Sequence, residues 1–188
     1  VIDIILVIST CLVLLPIVTM VMTSLKTFED VQMNPASLIP KEFTLKNYVT
    51  VFTEFPFTQY LINTLFITIT STIGITLTSA LVAYAFSRFD FKYKGIIFAV
   101  MLSTIMIPGQ ILQIPLYEMY RGMGWINTYK PMIIPAFLGG GITNVFLIRQ
   151  FFNSLPKSIF ESAQIDGAGE FRIFATIAVP LSKAIIFT

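Results

Sequence analysis

Long apolar stretches dominate this sequence and limit the folds open to it. Four of them cover residues 1–23, 61–86, 95–114 and 131–152, and a fifth begins near Ile173. A helix needs about 20 apolar residues to cross the hydrocarbon core of a bilayer. Because helices satisfy their own backbone hydrogen bonds in lipid, the pattern predicts an all-α membrane protein.

The composition supports this class and excludes several others. Only 12% of the 188 residues are charged, whereas soluble domains carry about 25%. With a net charge of +2 and no basic run, the chain is not expected to bind nucleic acid. Histidine is absent and Cys11 is the one cysteine, which excludes a His/Cys metal site, a Cys–His nucleophile pair and an internal disulfide.

We expect the chain to be a fragment, because it begins at Val1 without methionine in one apolar stretch and ends at Thr188 in another. A signal peptide is the less favoured interpretation of residues 1–22. That stretch lacks both a basic start and a small-x-small cleavage site.

Basic residues predict the orientation of the spans. Arg88, Lys92 and Lys94 crowd the short connector 86–95, and short loops rich in Lys and Arg stay on the cytoplasmic side. Residues 149–172 fall on the same side and are predicted to form a cytoplasmic loop. Residues 24–58, which contain three prolines, then form an extracytoplasmic loop with short helices at most.

Aromatic residues predict that the connector 111–129 lies on the outer leaflet, because amphipathic rings favour the headgroup level. These residues are Tyr117, Tyr120, Trp125 and Tyr129. In the neighbouring spans, Pro108 predicts a kink. Gly139-Gly140-Gly141 predicts a close helix contact in preference to a hinge.

Several polar residues in or near the spans are candidates for a solute pathway. They are Asn63, Thr64, Thr68, Gln110, Gln113 and Asn144. Hydroxyl and amide groups can hold sugars, but helix–helix hydrogen bonding is the favoured interpretation for each of these residues.

A water-compatible segment near the end of the chain, residues 156–172, is here called the elbow. Ser158 and Glu161 match a capping box, in which each side chain bonds the other's backbone amide, and Pro156 suits the start of a helix. We therefore expect a helix over 157–166, with Phe160 and Ala163 on one face.

The second half of the elbow begins at Gly167, where a left-handed backbone can end the first helix. A second helix is expected from about Glu170 and leads toward Pro180, which can be accommodated only as a kink. Taken alone, two short helices bent at a glycine are equally compatible with a simple interfacial elbow.

The sequence contains no visible energy source for transport. Ion-driven carriers place charged groups near the membrane midplane, whereas the one charge inside an apolar stretch here is Asp3, near a cytoplasmic end. No Gly-x-x-x-x-Gly-Lys-Ser/Thr loop is present to hold ATP phosphates. Energy for transport must then come from a partner, and the elbow is the candidate contact.

The elbow and several other stretches resemble known permeases. Glu161-Ser162-Ala163, Gly167 and Ile177-Ala178-Val179-Pro180 have the spacing of the Glu-Ala-Ala loop of ATP-binding-cassette (ABC) importer permeases, from which Ser162 and Val179 depart. The stretches that resemble carbohydrate-uptake permeases are 60–64, 83–88, 125–129, 151–157 and 164–168. The chain is most similar to the second, maltose-type permease subunit.

The resemblance implies the transmembrane fold of type I ABC importers (MetI-like), an all-α architecture of six spans of which about five are present. It implies a first transmembrane helix at 1–23 and an extracytoplasmic loop at 24–58. The permease core would follow at 59–188, with the cytoplasmic coupling loop at 149–172 and a C-terminal truncation.

The function implied is that of a permease subunit in an ATP-driven, binding-protein-dependent importer of a sugar or oligosaccharide, in a bacterial inner (plasma) membrane. The implied partners are a second homologous permease subunit, two cytoplasmic ATP-binding-cassette ATPase subunits, an extracytoplasmic solute-binding protein and membrane lipid. The chain itself would be non-catalytic and bind no cofactor or metal, since ATP and Mg would lie on the ATPase.

The resemblance also implies roles for individual residues of the coupling loop. Glu161 would cap and brace the elbow, and residues 165–168 would form the tip that contacts the ATPase. The full set is Glu161, Ser162, Ala163, Ile165, Asp166, Gly167, Ala168 and Pro180. The candidate pathway residues are Asn63, Thr64, Gln110 and Asn144.

Three alternatives stay open at this point. The first is a non-sugar solute within the same superfamily, the second is a secondary carrier or channel that needs no ATPase, and the third is a non-transporting membrane scaffold. The lack of intramembrane charge argues against the carrier, and the spacing in the elbow argues against the scaffold.

Overall fold

A computed structural model describes residues 2–187 and contains helices but no strand in that range. The predicted all-α class is therefore confirmed. Three segments are long and apolar enough to cross a membrane, namely Ile2–Ser24, Phe57–Arg88 and Lys130–Ser154, and a bent pair over 94–122 makes a fourth if it counts as one span. The chain divides into two compact units at Asn63.

The first unit begins with α1 (Ile2–Ser24), whose apolar side chains are mostly exposed, as expected for a surface that lipid covers. Two short helices follow, α2 (Phe28–Met33) and α3 (Lys46–Thr53). The prediction of short helices at most between the first two long helices is confirmed. The next helix, α4 (Phe57–Arg88), begins in this unit and continues into the second.

A buried lysine gives the segment after α1 a defined shape. Lys26 is 1% exposed, and its Nζ donates hydrogen bonds to the carbonyl oxygens of Asn34 (3.1 Å) and Ser37 (2.5 Å). The carboxylate of buried Asp30 accepts hydrogen bonds from the Asn34 side chain and the Lys41 backbone N–H. Because buried charges are costly unless they are hydrogen-bonded, these contacts define a folded loop.

In the second unit, the stretch predicted as one span over 95–114 is a broken pair of helices, α5 (Lys94–Ser103) and α6 (Gly109–Gly122). The bend between them is 97°. The residue before a proline avoids the helical region, and Ile107 accordingly has an extended backbone with ψ of 114°. The prediction of a single span is wrong, because Pro108 starts a new helix where only a kink was expected.

A glycine-rich break also divides the following span. α7 (Lys130–Ile133) leads through a 3₁₀ turn to residues 139–141, and α8 (Ile142–Ser154) follows. Gly140 has a φ of +67°, and a Cβ added there would lie 2.7 Å from the backbone nitrogen of Ser79 in α4. The two backbones therefore approach closely, which confirms the predicted helix contact.

Short helical pieces close the described chain. They are α9 (Lys157–Ile165), α10 (Glu170–Ile173), α11 (Val179–Leu181) and α12 (Lys183–Ile186), with a π-helical turn (Phe174–Ala178) before α11. The predicted second helix of the elbow is confirmed as α10. The irregularity expected at Pro180 takes the form of the widened turn just before it, because proline cannot donate a backbone hydrogen bond.

The core of the second unit gathers where one end of α4 meets α5, α8, α9 and α10. Its buried apolar side chains are Ala80, Ala83, Tyr84, Phe86, Phe98, Val145, Ile148, Phe152, Phe160, Ala163, Ile173, Phe174 and Ala178. The elbow therefore belongs to the best-packed part of this unit.

Candidate functional site

Helix α9 forms the first half of the elbow and matches the helix predicted over 157–166 to within one residue. Its N-cap is Pro156, and no side chain caps it. The predicted capping box is therefore wrong, because Ser158 already lies inside the helix, where its carbonyl accepts a hydrogen bond from the Ser162 hydroxyl (2.8 Å). Glu161 is exposed, so the capping role expected for it is wrong as well.

Gly167 ends α9 as predicted. Its φ is +79°, in the left-handed region that favours glycine. The N–H of Gly167 donates to the carbonyl of Gln164 (3.0 Å), and the N–H of Ala168 donates to the carbonyl of Ala163 (2.9 Å). This pair of hydrogen bonds is a Schellman motif, which satisfies two carbonyls at the helix end and turns the chain toward α10.

The two faces of α9 differ sharply in exposure. Phe160 is 1% exposed and Ala163 is 9% exposed, which confirms that they share the buried face. Ile165 is 86% exposed, and Asp166 and Gly167 beside it are exposed too. The elbow is thus attached along one side and presents an apolar tip on the other.

Two arginines fasten the surroundings of the buried face to the long helices. The guanidinium of Arg88, the last residue of α4, lies 3.8 Å from the ring centre of Phe160. The guanidinium of Arg149 in α8 lies 4.1 Å from the ring centre of Phe98, and its Nε donates to the carbonyl of Phe86 (3.2 Å). A cation over an aromatic face stabilises a contact by about 0.5–2 kcal/mol, so α9 is held at the end of α4.

A carboxylate adds a second link between the elbow and α4. Glu170 Oε2 accepts a hydrogen bond from the Tyr84 hydroxyl (2.8 Å), and its Oε1 accepts one from Gln164 Nε2 (2.6 Å). The buried ring of Tyr84 packs against the edges of the Phe152 and Phe174 rings, with centroids 5.9 and 5.2 Å away. This cluster ties α4, α8, α9 and the turn after α10 together.

Sequence reasoning missed this cluster. Tyr84 and Glu170 lie 86 residues apart, and no motif or period relates them. The one available signal was a tyrosine near the end of an apolar helix, since a buried tyrosine hydroxyl usually finds a hydrogen-bond partner.

The predicted solute-pathway residues have different surroundings. Asn63 accepts a hydrogen bond from Gln59 on its own helix (2.7 Å), while Thr64 and Gln110 are exposed. Asn144 lines a cavity of about 530 Å³ in the second unit. Thr72 and Thr76 of α4 add hydroxyl groups to that otherwise apolar cavity.

Residues 73–188, more than half of the chain, match the family model "Binding-protein-dependent transport system inner membrane component". A probable ABC transporter permease protein of Pyrococcus horikoshii is 34% identical over 171 residues, which cover 90% of this chain and 62% of that protein. The arabinooligosaccharides transport system permease protein AraQ of Halalkalibacterium halodurans is 32% identical, with 88% and 60% covered. The trehalose/maltose transport system permease protein MalG of Thermococcus litoralis is also 32% identical, with 93% and 63% covered.

The chain thus spans less than two thirds of the length of these relatives. A solved structure similar to it is a bacterial ABC transporter involved in the import of the acidic polysaccharide alginate, with a TM-score of 0.72 and 21% identity. The match covers 98% of this chain and 65% of that chain, which confirms the predicted MetI-like permease fold. Family model, relatives and fold agree, and the chain belongs to the binding-protein-dependent transport system inner membrane components.

Proposed function

We propose that this chain is a permease subunit of an ATP-driven, binding-protein-dependent importer of a sugar or oligosaccharide. The observation that carries the proposal is the two-sided build of α9, with Phe160 buried at the end of α4 and Ile165 86% exposed at the tip. A helix that is packed on one side and open on the other suits the transfer of movement from a partner to the membrane helices.

The proposed partners are two cytoplasmic ATP-binding-cassette ATPase subunits, a second homologous permease subunit and an extracytoplasmic solute-binding protein. ATP and Mg²⁺ would bind the ATPase subunits, so this subunit is non-catalytic in the proposal. The loop 149–172 is then cytoplasmic, residues 24–58 are extracytoplasmic, and lipid surrounds the long helices.

In this proposal, movement passes from the tip of the elbow into the long helices. Closure of the ATPase subunits on ATP shifts residues 165–168, which sit in a cleft of the ATPase surface. Because Phe160 is packed beneath Arg88 at 3.8 Å, the shift is passed on to α4. Packed elements switch between discrete arrangements and do not deform continuously, so the pathway opens alternately to each side.

A sugar or oligosaccharide is the proposed solute. AraQ and MalG, which resemble this chain over most of its length, carry the names of arabinooligosaccharide and trehalose/maltose systems. Asn144, Thr72 and Thr76 supply amide and hydroxyl groups in the cavity of about 530 Å³, and such groups suit sugar hydroxyls. Asn63, Thr64 and Gln110 are further candidates for the pathway.

Reconstitution of the full-length permease with its ATPase and second permease in proteoliposomes tests the proposal. A panel of maltose, trehalose, arabinooligosaccharides, phosphate and a dipeptide is supplied, each with the cognate binding protein. We expect one of the sugars to raise ATP hydrolysis and to accumulate only when ATP is present. Accumulation driven by an ion gradient without ATP would overturn the importer mechanism, and stimulation by phosphate or the dipeptide alone would overturn the sugar assignment.

A further inference from the structure

Glu170 joins three parts of the second unit through its two carboxylate oxygens. One oxygen accepts a hydrogen bond from Tyr84 in α4 at 2.8 Å, and the other accepts one from Gln164 in the last turn of α9 at 2.6 Å. Glu170 itself is the first residue of α10. A single side chain thus meets both helices of the elbow and the long helix α4.

The backbone between the two elbow helices is permissive. Residues 166–169 contain Gly167 and Gly169, and glycine restricts the chain less than any other residue. A Cβ added at either glycine would meet nothing within 4 Å, so packing does not fix the turn at these positions. The Glu170–Gln164 hydrogen bond crosses this turn and sets the angle between α9 and α10.

The contact to Tyr84 is placed where it resists movement. Tyr84 is 5% exposed, and its ring is enclosed by those of Phe152 and Phe174. Hydrogen bonds to an ionised carboxylate are shorter and about twice as strong as neutral ones. The hydroxyl of Tyr84 is therefore a fixed anchor, and Glu170 connects the mobile turn to it.

We propose that Tyr84, Glu170 and Gln164 form a latch that keeps α9, α10 and α4 in one rigid body while the elbow is being moved. They are positioning residues that hold the elbow and touch neither solute nor ATP. The inference rests on the proposed function, because the latch matters to transport only if the elbow receives force.

The chemistry of the latch allows a matched set of variants. Glu170→Gln keeps both contacts, since its amide oxygen accepts from Gln164 and its NH₂ donates to the Tyr84 oxygen. Glu170→Ala removes both contacts. Gln164→Glu places two carboxylates against each other, and the double exchange Gln164→Glu/Glu170→Gln restores one donor and one acceptor at that contact without changing the net charge.

Distance measurement in the assembled transporter tests the latch. Spin labels are placed at Ile165→Cys on α9 and Leu81→Cys on α4, both exposed positions, after Cys11→Ser removes the one native cysteine. The full-length permease, in complex with its partner permease and ATPases, is compared without nucleotide and after trapping with MgATP and vanadate. Hydrolysis of ATP by each complex is measured in parallel.

We expect the wild-type distance distribution to be narrow in both states and to shift by no more than about 2 Å, the scale of movements within packed elements. Loss of both contacts in Glu170→Ala moves the equilibrium between docked and undocked α9 by about tenfold, so a second, separate distance appears. Gln164→Glu should show it too, whereas Glu170→Gln and the double exchange keep the narrow distribution. All five complexes are expected to hydrolyse ATP.

Two results would overturn the latch while leaving the proposed function intact. One is a wild-type distance that changes by about a helical turn, roughly 5 Å, on trapping. The other is a narrow distribution in Glu170→Ala, or a double exchange that fails to restore it. If the wild-type complex binds no ATPase subunit and traps no nucleotide, the proposed function fails instead, and with it the basis of the latch.

Discussion

At the scale of single residues, two glycines shape this chain for different reasons. Gly167 has φ +79° and Gly140 has φ +67°, so a side chain strains the backbone at both. A Cβ at Gly167 meets open space, whereas one at Gly140 would lie against the backbone of Ser79. The first position therefore depends on conformation alone, and the second on conformation and packing together.

Gly167→Pro is expected to uncouple transport without preventing membrane insertion. Proline fixes φ near −65° and removes the N–H that bonds the Gln164 carbonyl, at a cost of about 3 kcal/mol. We expect ATP-driven uptake in proteoliposomes to fall while the amount of inserted protein is unchanged. Gly169→Ala is the control, because Gly169 has an ordinary φ of −71° and free space around it. Normal uptake by Gly167→Pro would contradict the account.

Gly140→Ala is expected to destabilise the second unit by about 1–3 kcal/mol, the usual cost of overpacking. Thermal unfolding in detergent, followed by fluorescence of Trp125, measures the change. Gly122→Ala serves as the comparison, since a Cβ there meets nothing within 4 Å. Equal melting temperatures for the two variants would show that the break before α8 is not a close contact.

At the scale of elements, α9 shows how far sequence patterns reach. The spacing of Phe160 and Ala163 predicted its buried face, and Gly167 predicted its end, because both signals are local. The start was assigned to the wrong residue, since Pro156 opens the helix and leaves Ser158 inside it. The Tyr84–Glu170 contact could not be predicted, because it depends on which helices pack together and not on any periodic pattern.

The break between α5 and α6 makes the same point. Pro108 identified the position, but the sequence could not distinguish a kink within one span from a turn of 97° between two helices. That choice depends on what surrounds α6, and the extended backbone of Ile107 commits the chain to the turn.

Two substitutions on α9 are expected to separate attachment from contact. Phe160→Ala removes a fully buried ring, a change that costs about 3–5 kcal/mol, and should increase hydrogen exchange of the α9 backbone amides. Ile165→Ala alters an 86% exposed side chain and should leave exchange unchanged while weakening co-purification of the ATPase. The opposite pattern of effects would assign the two faces of α9 wrongly.

The prediction that residues 111–129 lie at the membrane surface can be tested through Trp125, the one tryptophan of the chain. Its ring stacks on that of Tyr120 in α6 at 5.7 Å, and such rings favour the headgroup level. We expect lipids brominated near the headgroup to quench its fluorescence more than lipids brominated near the chain end. Stronger quenching by the deeply brominated lipid would place this segment inside the bilayer.

At the scale of the whole molecule, the account describes a membrane protein that receives energy from another subunit. The long helices expose apolar side chains that lipid can cover, and the well-packed core of the second unit lies where the elbow meets α4. Composition and apolar runs predicted the fold class, and the spacing of the elbow predicted the family. The solute pathway was not predictable in the same way, because an isolated polar residue in a span has several possible partners.

The central claim is that the elbow tip contacts the ATPase in the assembled transporter. A photo-crosslinking amino acid placed at Ile165 in the full-length permease tests it directly, with the same group at Leu116 of α6 as the control. We predict that the label at Ile165 captures the ATPase subunit in membrane vesicles and that the label at Leu116 does not. If the label at Ile165 captures only lipid or an extracytoplasmic protein while ATP-driven uptake continues, the account is contradicted.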